Sequence, residues 1–412
     1  MLLRLLPLLR LRVSHLRTGF RLAAGLVALL AAGSAAEPLA TPPRVVAFAD
    51  SVAAADALTT ALSPFTIVDP TDEAEVAIVW RGPGAAGSTA LARFRARVPA
   101  LVVLGADPAA WTGGATELSE LLGASPGETF RQGAAPTVLS DYGHPITSGV
   151  AEPPVSADLR LWSALAADTF VLQEATAGEA TAPLAWIRKG SARRVVHLAA
   201  VTPATWPEAG TRRLVAQAVW WAAGRTVPGA STRLQRTVLP DAHPGSFALT
   251  FPEGVGACLD PVRGGLNYLW AGEFADLRPR WLTKQGAPAR IDGPIWYRES
   301  AEPAWRSQPG GIAAAWQFRG HAEREGAPEF HYLVAGRAVT ERLVATPDGR
   351  SLVRRFQVGP GASPVWLRLA PQAGVLIEVS GARHKADHAG FSGEAAGEFT
   401  VRLRRTDGEA AR

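Results

Sequence analysis

Acidic, basic and imidazole side chains follow several apolar runs that are typical of buried strands. Asp50 follows Val45–Ala49, Trp80 and Arg81 end a second run, Asp107 follows Leu101–Leu104, and Asp141 and His144 come after a further short segment. Ligands of doubly wound α/β sheets bind beyond the carboxyl ends of the strands. We therefore expect these side chains to line one crevice, where a carboxylate beside an imidazole can transfer protons.

These residues leave two roles open for the crevice. In a binding protein, the polar contacts would be Arg81, Asp107, Asp141 and His144, with Trp80 or Trp206 as a stacking wall. In an enzyme, Asp107 or Asp141 would be the acid or base and His144 its partner, acting on a glycoside or an oxidised sugar. A structural role is the alternative, because Asp50 and Asp107 precede predicted helices and would cap them.

The spacing of the apolar runs predicts two domains. Between residues 44 and 226, short β-branched runs alternate with helix-like segments, which favours an α/β flavodoxin-like domain. In the same region, Val171-Leu-Gln, 183–188 and 193–200 have the pattern of antiparallel strands. Over 240–405, short alternating runs are separated by glycine and proline turns, which favours an all-β sandwich.

Two segments of the first domain resemble a known family. His144-Pro-Ile-Thr-Ser-Gly-Val150 and the stretch from Arg194 through Trp206 to Arg225, ending Trp-Trp-Ala-Ala-Gly-Arg, are similar to segments of ThuA-like proteins, named for trehalose utilisation. The resemblance covers about 44–226. It implies the glutamine amidotransferase-like version of the flavodoxin architecture and a role in carbohydrate metabolism.

The chain departs from this family pattern at the residues that would do chemistry. An amidotransferase needs a cysteine at the strand-to-helix elbow, but Gly105-Ala106-Asp107 stands there and Cys258 is the only cysteine. Glutaminase activity is therefore excluded. Ala200-Val201 and Ala49-Asp50-Ser51 replace the Gly-His pairs of the family. The resemblance then implies a degenerate site that binds carbohydrate or helps to process it, with an active carbohydrate hydrolase or lyase as the alternative.

The second domain is rich in aromatic residues. Leu266–Phe274 and Gly293–Tyr297 resemble β-rich modules found beside ThuA-like and cytochrome c modules in secreted bacterial proteins, which suggests a scaffold for a periplasmic redox or sugar enzyme as a third function. Trp281 and Trp305 are the predicted exposed rings for stacking on sugars. Packing between the two sheets is the alternative for such side chains.

Cofactor motifs are missing from the sequence. His384 and His388 would share a helix face and hold a metal, but the glycines around them favour a loop. The chain has no phosphate-binding glycine loop, no CxxCH haem motif and no GxSxG elbow, so we predict no cofactor.

The basic charge of the chain is concentrated at its amino terminus. The net charge is +5 and the pI about 9.8, but residues 1–36 contain five arginines and no acid. Subtracting these arginines leaves 37 basic residues against 37 acidic ones, so nucleic acid is not a predicted partner. The apolar run from Leu22 and the small residues Ser34-Ala-Ala36 predict a signal peptide over 1–36 and a periplasmic or secreted protein. An uncleaved membrane anchor is the alternative.

Overall fold

Among the residues that the structure describes, the apolar runs between 44 and 198 form one mixed sheet of eight strands. These strands are β1 (Arg44–Ala49), β2 (Thr66–Ile67), β3 (Val76–Trp80), β4 (Ala100–Leu104), β6 (Thr137–Ser140), β8 (Thr169–Ala177), β9 (Ala180–Gly190) and β10 (Arg193–Leu198). β5 (Ser125–Arg131) and β7 (Asp158–Ser163) form a separate antiparallel pair.

The computed structural model describes 41–51, 65–68, 74–97, 100–131, 137–141, 143–150, 158–177, 180–190, 193–202, 205–282, 286–385, 387–391 and 396–406, with positions 56, 58 and 62. The predicted signal peptide, 1–36, lies outside these ranges. Residues from Pro43 onward belong to one compact unit. No helix in the described ranges is long and apolar enough to cross a membrane.

The strand directions change part of the way across the mixed sheet. The order is β2-β1-β3-β4-β10-β9-β8-β6, and the first five strands are parallel. β9, β8 and β6 then alternate in direction. Helices α1 (Gly84–Arg97) and α2 (Gly114–Leu122) contribute to the core on one face of the sheet, and α3 (Ala209–Ala222) contributes to the core on the other. The sheet is therefore covered on both faces, as parallel strands require.

The predicted fold class was an α/β flavodoxin-like (glutamine amidotransferase-like) domain followed by an all-β sandwich, and its flavodoxin-like part is wrong. Strands account for 46% of the described residues and helices for 14%, in several sheets. A doubly wound sheet would add each strand through a helical crossover, whereas β8, β9 and β10 are joined as antiparallel neighbours. The antiparallel pairing predicted for the segments around Val171, 183–188 and 193–200 is confirmed by this arrangement.

Beyond residue 232, the described chain is built from antiparallel strands. One sheet contains β11 (Arg233–Arg236), β12 (Phe247–Phe251), β13 (Val255–Asp260), β14 (Gly265–Trp270) and β17 (Ile295–Arg298). β15 (Ala275–Asp276) pairs with β16 (Arg290–Ile291), and the short helix α4 (Arg278–Leu282) lies between them. A further sheet has the order β18 (Trp305–Arg306), β23 (Val365–Arg368), β26 (His388–Phe391) and β25 (Arg383–Lys385).

A sheet of six described strands completes this part of the protein. Its order is β19 (Trp316–Arg324), β20 (Ala327–Val334), β21 (Arg337–Ala345), β22 (Ser351–Val358), β27 (Gly397–Arg405) and β24 (Val375–Ser380). Alternate residues of β21 and β22 are buried, because one face of the sheet packs on a core shared with the other large sheets. This face-to-face packing is the sandwich arrangement predicted for the C-terminal part.

A network of charged groups is buried in this shared core. The Arg354 guanidinium donates through Nε to Glu341 Oε1 (2.6 Å) and through Nη1 to Glu299 Oε1 (3.2 Å). Tyr297 donates to Glu299 and Tyr332 donates to Glu341. Arg354 and Glu341 are buried, so each charge depends on its partners rather than on water.

Candidate functional site

An open crevice lies beyond the carboxyl ends of the parallel strands β3, β4 and β10. Its volume is about 380 Å³. It is lined by Trp80, Arg81, Gly105, Ala106, Asp107, Arg160, Trp162, Ala199, Val201 and Thr202. The volume is at the lower end of the range of about 300–1,000 Å³ typical of small-molecule sites.

Arg81 stands at the centre of this crevice. Its backbone has φ +59°, a left-handed conformation that non-glycine residues rarely adopt. The Arg81 N–H donates to the carbonyl of Leu104, and the Arg81 carbonyl accepts from Asp107 N and from the indole of Trp111. These bonds hold the strained backbone and direct the side chain between two carboxylates. Its Nε lies 3.3 Å from Asp50 Oδ2, and its Nη2 donates to Asp107 Oδ2 at 2.8 Å.

Asp107 has both a structural and an electrostatic role. Its Oδ1 accepts from Ala109 N, so it caps the short 3-10 helix at Pro108–Ala110. Partial burial tends to raise the pKa of Asp107, but the hydrogen bond from Arg81, the bond from Ala109 and the charges of Arg81 and Arg160 outweigh it. The pKa of Asp107 therefore lies below its ordinary value. The carboxylate is held ionised, as a hydrogen-bond acceptor.

The floor of the crevice is tightly packed. Gly105 has φ +51°, and a Cβ there would lie 2.6 Å from the Val201 carbonyl oxygen, so this position requires glycine. His197 accepts from Ala106 N through Nε2 at 3.4 Å, and its ring centroid lies 4.8 Å from that of Trp162. Burial lowers the pKa of His197 to about 3, so the imidazole is neutral.

The two tryptophans predicted as stacking walls pack on each other. The ring centroids of Trp80 and Trp206 are 5.0 Å apart, and both side chains are buried. Trp80 lines the crevice, and its indole Nε1 has no hydrogen-bond partner among the described residues. Asp50, Trp80, Arg81 and Asp107 are thus brought together as expected from their positions after strands.

Asp141 and His144 do not share this crevice. β6 lies four places from β4 in the sheet, roughly 19 Å away at about 4.8 Å per strand. It also runs antiparallel to β4, since β9, β8 and β6 alternate in direction after the parallel strand β10. Ser140, the last residue of β6, is level with Leu104 across the sheet, and the chain leaves β6 in the direction of the opposite edge. The pairing of Asp107 with Asp141 or His144 as acid and base is excluded by this geometry.

Both residues are buried beyond the end of β6. Burial raises the pKa of Asp141 to about 6, and its Oδ1 accepts from Gly143 N. His144 accepts from Ile146 N through Nδ1, and its ring lies between Trp221 and Phe274. Burial lowers the pKa of His144 to about 3. The side chains of Asp141 and His144 therefore belong to the packed interior of the protein.

A charged cluster next to His144 connects the mixed sheet to the C-terminal sheets. Lys189 Nζ, at the end of β9, lies 3.1 Å from Glu273 Oε2 and 3.1 Å from Asp292 Oδ2. Glu273 also accepts from the Trp221 indole, and Asp292 Oδ1 accepts from the Trp270 indole at 3.1 Å. Burial acts to raise the pKa of Glu273, but the positive charges of Lys189 and Arg194 dominate and lower it to about 2.

The other predicted residues are separated from one another. Trp281 is 51% exposed on α4. Trp305 is fully buried, contrary to expectation, and its indole donates to the Gly264 carbonyl. His384 is exposed on β25, whereas His388 is buried and contacts Asp387. No group of three metal-binding side chains occurs within the described ranges.

The structure adds crevice residues that the sequence analysis did not select. Arg160 and Trp162 come from β7, and Thr202 follows β10. β7 belongs to the separate pair with β5, so only the tertiary fold places it over the mixed sheet. The alternation in Asp158-Leu-Arg-Leu-Trp is the local signal that Arg160 and Trp162 share one face.

Comparisons with known proteins identify no family for this chain. No family model and no curated protein matches it, so the ThuA-like resemblance stays a prediction. Among solved structures, similar ones are Agd3, a carbohydrate deacetylase (13% identity, TM-score 0.33, covering 49% of this chain and 35% of that one) and the β-galactosidase of the Antarctic haloarchaeon Halorubrum lacusprofundi (11%, 0.33, 52% and 35%). A third is the β-galactosidase of Bacillus circulans sp. alkalophilus (10%, 0.32, 88% and 41%). The chain spans less than half the length of each, and none of these scores establishes a shared fold.

Proposed function

We propose that the crevice around Arg81 binds a small neutral carbohydrate. The observation that carries this proposal is one open cavity lined by Arg81, Arg160 and Asp107, which pair with one another, while Asp50 pairs with Arg81 next to it. These groups have no net formal charge, and they offer both donors and acceptors. Sugar hydroxyls both donate and accept hydrogen bonds, so they match such a site.

The aromatic wall supports the same ligand class. Trp162 lines the cavity beside Arg160, and because its side chain is only 4% exposed it offers a small apolar surface next to the charged groups. Ligand sites of this kind combine apolar walls with a few placed polar groups. A single sugar ring or a disaccharide has both apolar C–H faces and a polar rim, so it can use the two kinds of surface together.

Binding is favoured over acid–base catalysis by the electrostatics of Asp107. A general acid at neutral pH needs a raised pKa, whereas the pKa of Asp107 is lowered by Arg81, Ala109 N–H and Arg160. His197 is neutral and already accepts a hydrogen bond from the backbone. The crevice therefore has charged acceptors and donors for hydroxyls, and its Asp107 is poorly suited to protonate a leaving group.

Calorimetric titration of the purified protein tests this proposal. The ligands are D-glucose, D-galactose, trehalose and cellobiose, measured separately. We expect saturable binding of at least one of them. Replacing Asp107→Asn should weaken that binding about tenfold or more, because a charge-assisted hydrogen bond contributes about 1.5–3 kcal/mol.

A matched control separates the crevice from a general loss of charge. Asp168 pairs with Arg188 at 2.8 Å elsewhere on the mixed sheet, the same distance as the Asp107–Arg81 pair. Asp168→Asn should leave sugar binding unchanged. Absence of binding across the four sugars, or equal weakening by both variants, would refute the proposal. Turnover of a p-nitrophenyl glycoside that Asp107→Asn abolishes would instead support the enzyme alternative.

A further inference from the structure

The outer face of the six-stranded sheet has a second polar cavity, far in sequence from the crevice. The cavity has a volume of about 320 Å³, and its lining residues come from β19–β22, β27 and the turn after β19. We propose that it binds an acidic saccharide, with the carboxylate of a uronic acid ring held by Arg355. This inference does not depend on sugar binding in the crevice.

The first row of side chains across this face places two arginines side by side. Arg342 on β21 is directly opposite Arg355 on β22. Glu329 on β20 is opposite Arg342, and Thr400 on β27 is opposite Arg355. Like charges directly opposite in a sheet destabilise it. An anion placed between the two guanidinium groups would remove this repulsion.

The two arginines differ in what already neutralises them. Arg342 Nη1 donates to Glu325 Oε2 at 2.8 Å. Arg355 is exposed, and it makes no ion pair or side-chain hydrogen bond with any residue that the structure describes. A planar guanidinium with free donors binds a carboxylate through two parallel hydrogen bonds. Arg355 is therefore the available anchor for an external carboxylate.

The second row offers partners for hydroxyl groups. His331, Thr340, Gln357 and Glu398 are opposite one another in turn across β20, β21, β22 and β27. Gln357 donates to Glu398 at 2.9 Å. The row therefore presents a hydroxyl, an amide and a carboxylate beside the arginine pair. The two rows are separated by two residues along each strand, which is about 7 Å. A ring with one carboxylate and several hydroxyls can reach both rows.

The carboxylates on this face argue for a singly charged ligand. Glu329 and Glu398 both line the cavity. They would repel a phosphate dianion, but each can accept a hydroxyl hydrogen bond from a sugar. A monocarboxylate sugar fits this mixture better than a compact multivalent anion does.

Ligand-observed NMR titrations of the purified chain with D-glucuronate and D-glucose test the inference. The two probes differ only in a carboxylate that replaces a hydroxymethyl group. We expect glucuronate to bind at least tenfold more tightly than glucose at this face, and more weakly as NaCl is raised. Arg355→Gln should reduce the glucuronate affinity at least tenfold. Arg355→Lys keeps the charge but loses the planar fork, so it should give an intermediate affinity.

Two control variants make the result decisive. Arg402 lies on β27 of the same sheet and already faces Glu378 at 3.7 Å, so Arg402→Gln should leave glucuronate binding within twofold of the original. Asp107→Asn should also retain glucuronate binding.

Equal affinities for glucuronate and glucose, an unchanged affinity in Arg355→Gln, or displacement of glucuronate by an equal concentration of sodium phosphate would overturn the inference. Loss of glucuronate binding in Asp107→Asn would assign the acidic sugar to the crevice instead. Neutral-sugar binding that persists without glucuronate binding would refute this inference alone.

Discussion

Replacing Lys189→Met removes the cation from the buried cluster that joins the mixed sheet to the C-terminal sheets. Lys189 Nζ lies 3.1 Å from a carboxylate oxygen of Glu273 and 3.1 Å from one of Asp292. The side chains of Glu273 and Asp292 are only 3% and 0% exposed. Water therefore cannot replace the lost partner.

The size of the effect follows from the loss of one partner in a buried ion pair. Removing one member of such a pair costs about 3–5 kcal/mol of unfolding free energy, because a charge stays buried without its partner. Arg194 still lies 3.8 Å from Glu273 in the variant, so Asp292 is the carboxylate that loses its cation. The indoles of Trp221 and Trp270 still donate to the carboxylates in the variant. We therefore expect a folded protein that is about 3–5 kcal/mol less stable at pH 8.

Urea unfolding followed by tryptophan fluorescence measures this change directly, because two of the reporting indoles belong to the cluster. Lys385→Met is the control, since Lys385 is exposed on β25. Its unfolding free energy should change by less than about 0.5 kcal/mol.

The pH dependence of the variant tests the cause. In the original protein, the pKa of Glu273 is lowered to about 2, so its stabilising contribution is present above its unfolded pKa of about 4.3 and is lost only as the pH falls toward 2. Without Lys189, the buried carboxylates of Glu273 and Asp292 repel each other, so one of them favours uptake of a proton. Its pKa in the folded protein then lies above its unfolded value. Stability then increases as the pH falls, so the deficit should shrink between pH 8 and pH 5. A deficit below 1 kcal/mol, or one independent of pH, would refute the reasoning.

Two further substitutions test the other buried polar groups. Glu341→Gln, beside the buried Arg354, should lower the unfolding free energy by about 3–5 kcal/mol in urea titrations. The control, Glu378→Gln on the exposed face, should change it by less than about 0.5 kcal/mol. Equal effects of the two substitutions would contradict the role of burial. His144 has a folded pKa of about 3 against about 6.5 when unfolded, so the protein loses stability through this residue as the pH falls below about 6.5, by about 1.4 kcal/mol per pH unit. His144→Phe should therefore reduce the stability lost between pH 7 and pH 5 by about 2 kcal/mol, and an unchanged pH slope would show that His144 is not buried and neutral.

The apolar pattern was sufficient to identify the strands that form one side of the crevice. Val45–Ala49, Val76–Trp80 and Leu101–Leu104 read as buried strands, and they pair in parallel. Because the polar residues directly after such strands meet at one edge, Asp50, Arg81 and Asp107 could be grouped from the sequence. The contribution of β7 could not, since it depends on how a separate pair of strands packs.

Strand direction is where the sequence-based reasoning failed. An apolar run has the same pattern whichever way it runs in the sheet, so nothing local to Asp141 shows that β6 is antiparallel to β4. The helical crossovers assumed for a flavodoxin-like fold place all strand ends at one edge. The antiparallel pairing of β10, β9, β8 and β6 instead reverses the direction of β6, so the chain after Ser140 runs toward the other edge, at a distance of four strands from β4.

The exposure of single tryptophans was equally hard to predict. Trp305 stands in the polar stretch 302–311, which favours an exposed ring. In the structure, the buried Arg306 pairs with the exposed Glu302, while the Trp305 ring packs against Tyr332 and Phe356 in the core. Neighbours in sequence therefore say little about an aromatic residue in a two-residue strand such as β18.

The pairing of β4 with β10 has a consequence for the order in which the protein folds. Ala100 is opposite Arg194, so this contact closes a loop of about 90 residues and carries a larger entropic cost than a hairpin does. The hairpin β8–β9 and the hairpin β20–β21 join neighbouring segments instead. Local hairpins should therefore form early and the parallel half of the mixed sheet late, which leaves the edge of β4 unpaired in the nascent chain until β10 has been synthesised.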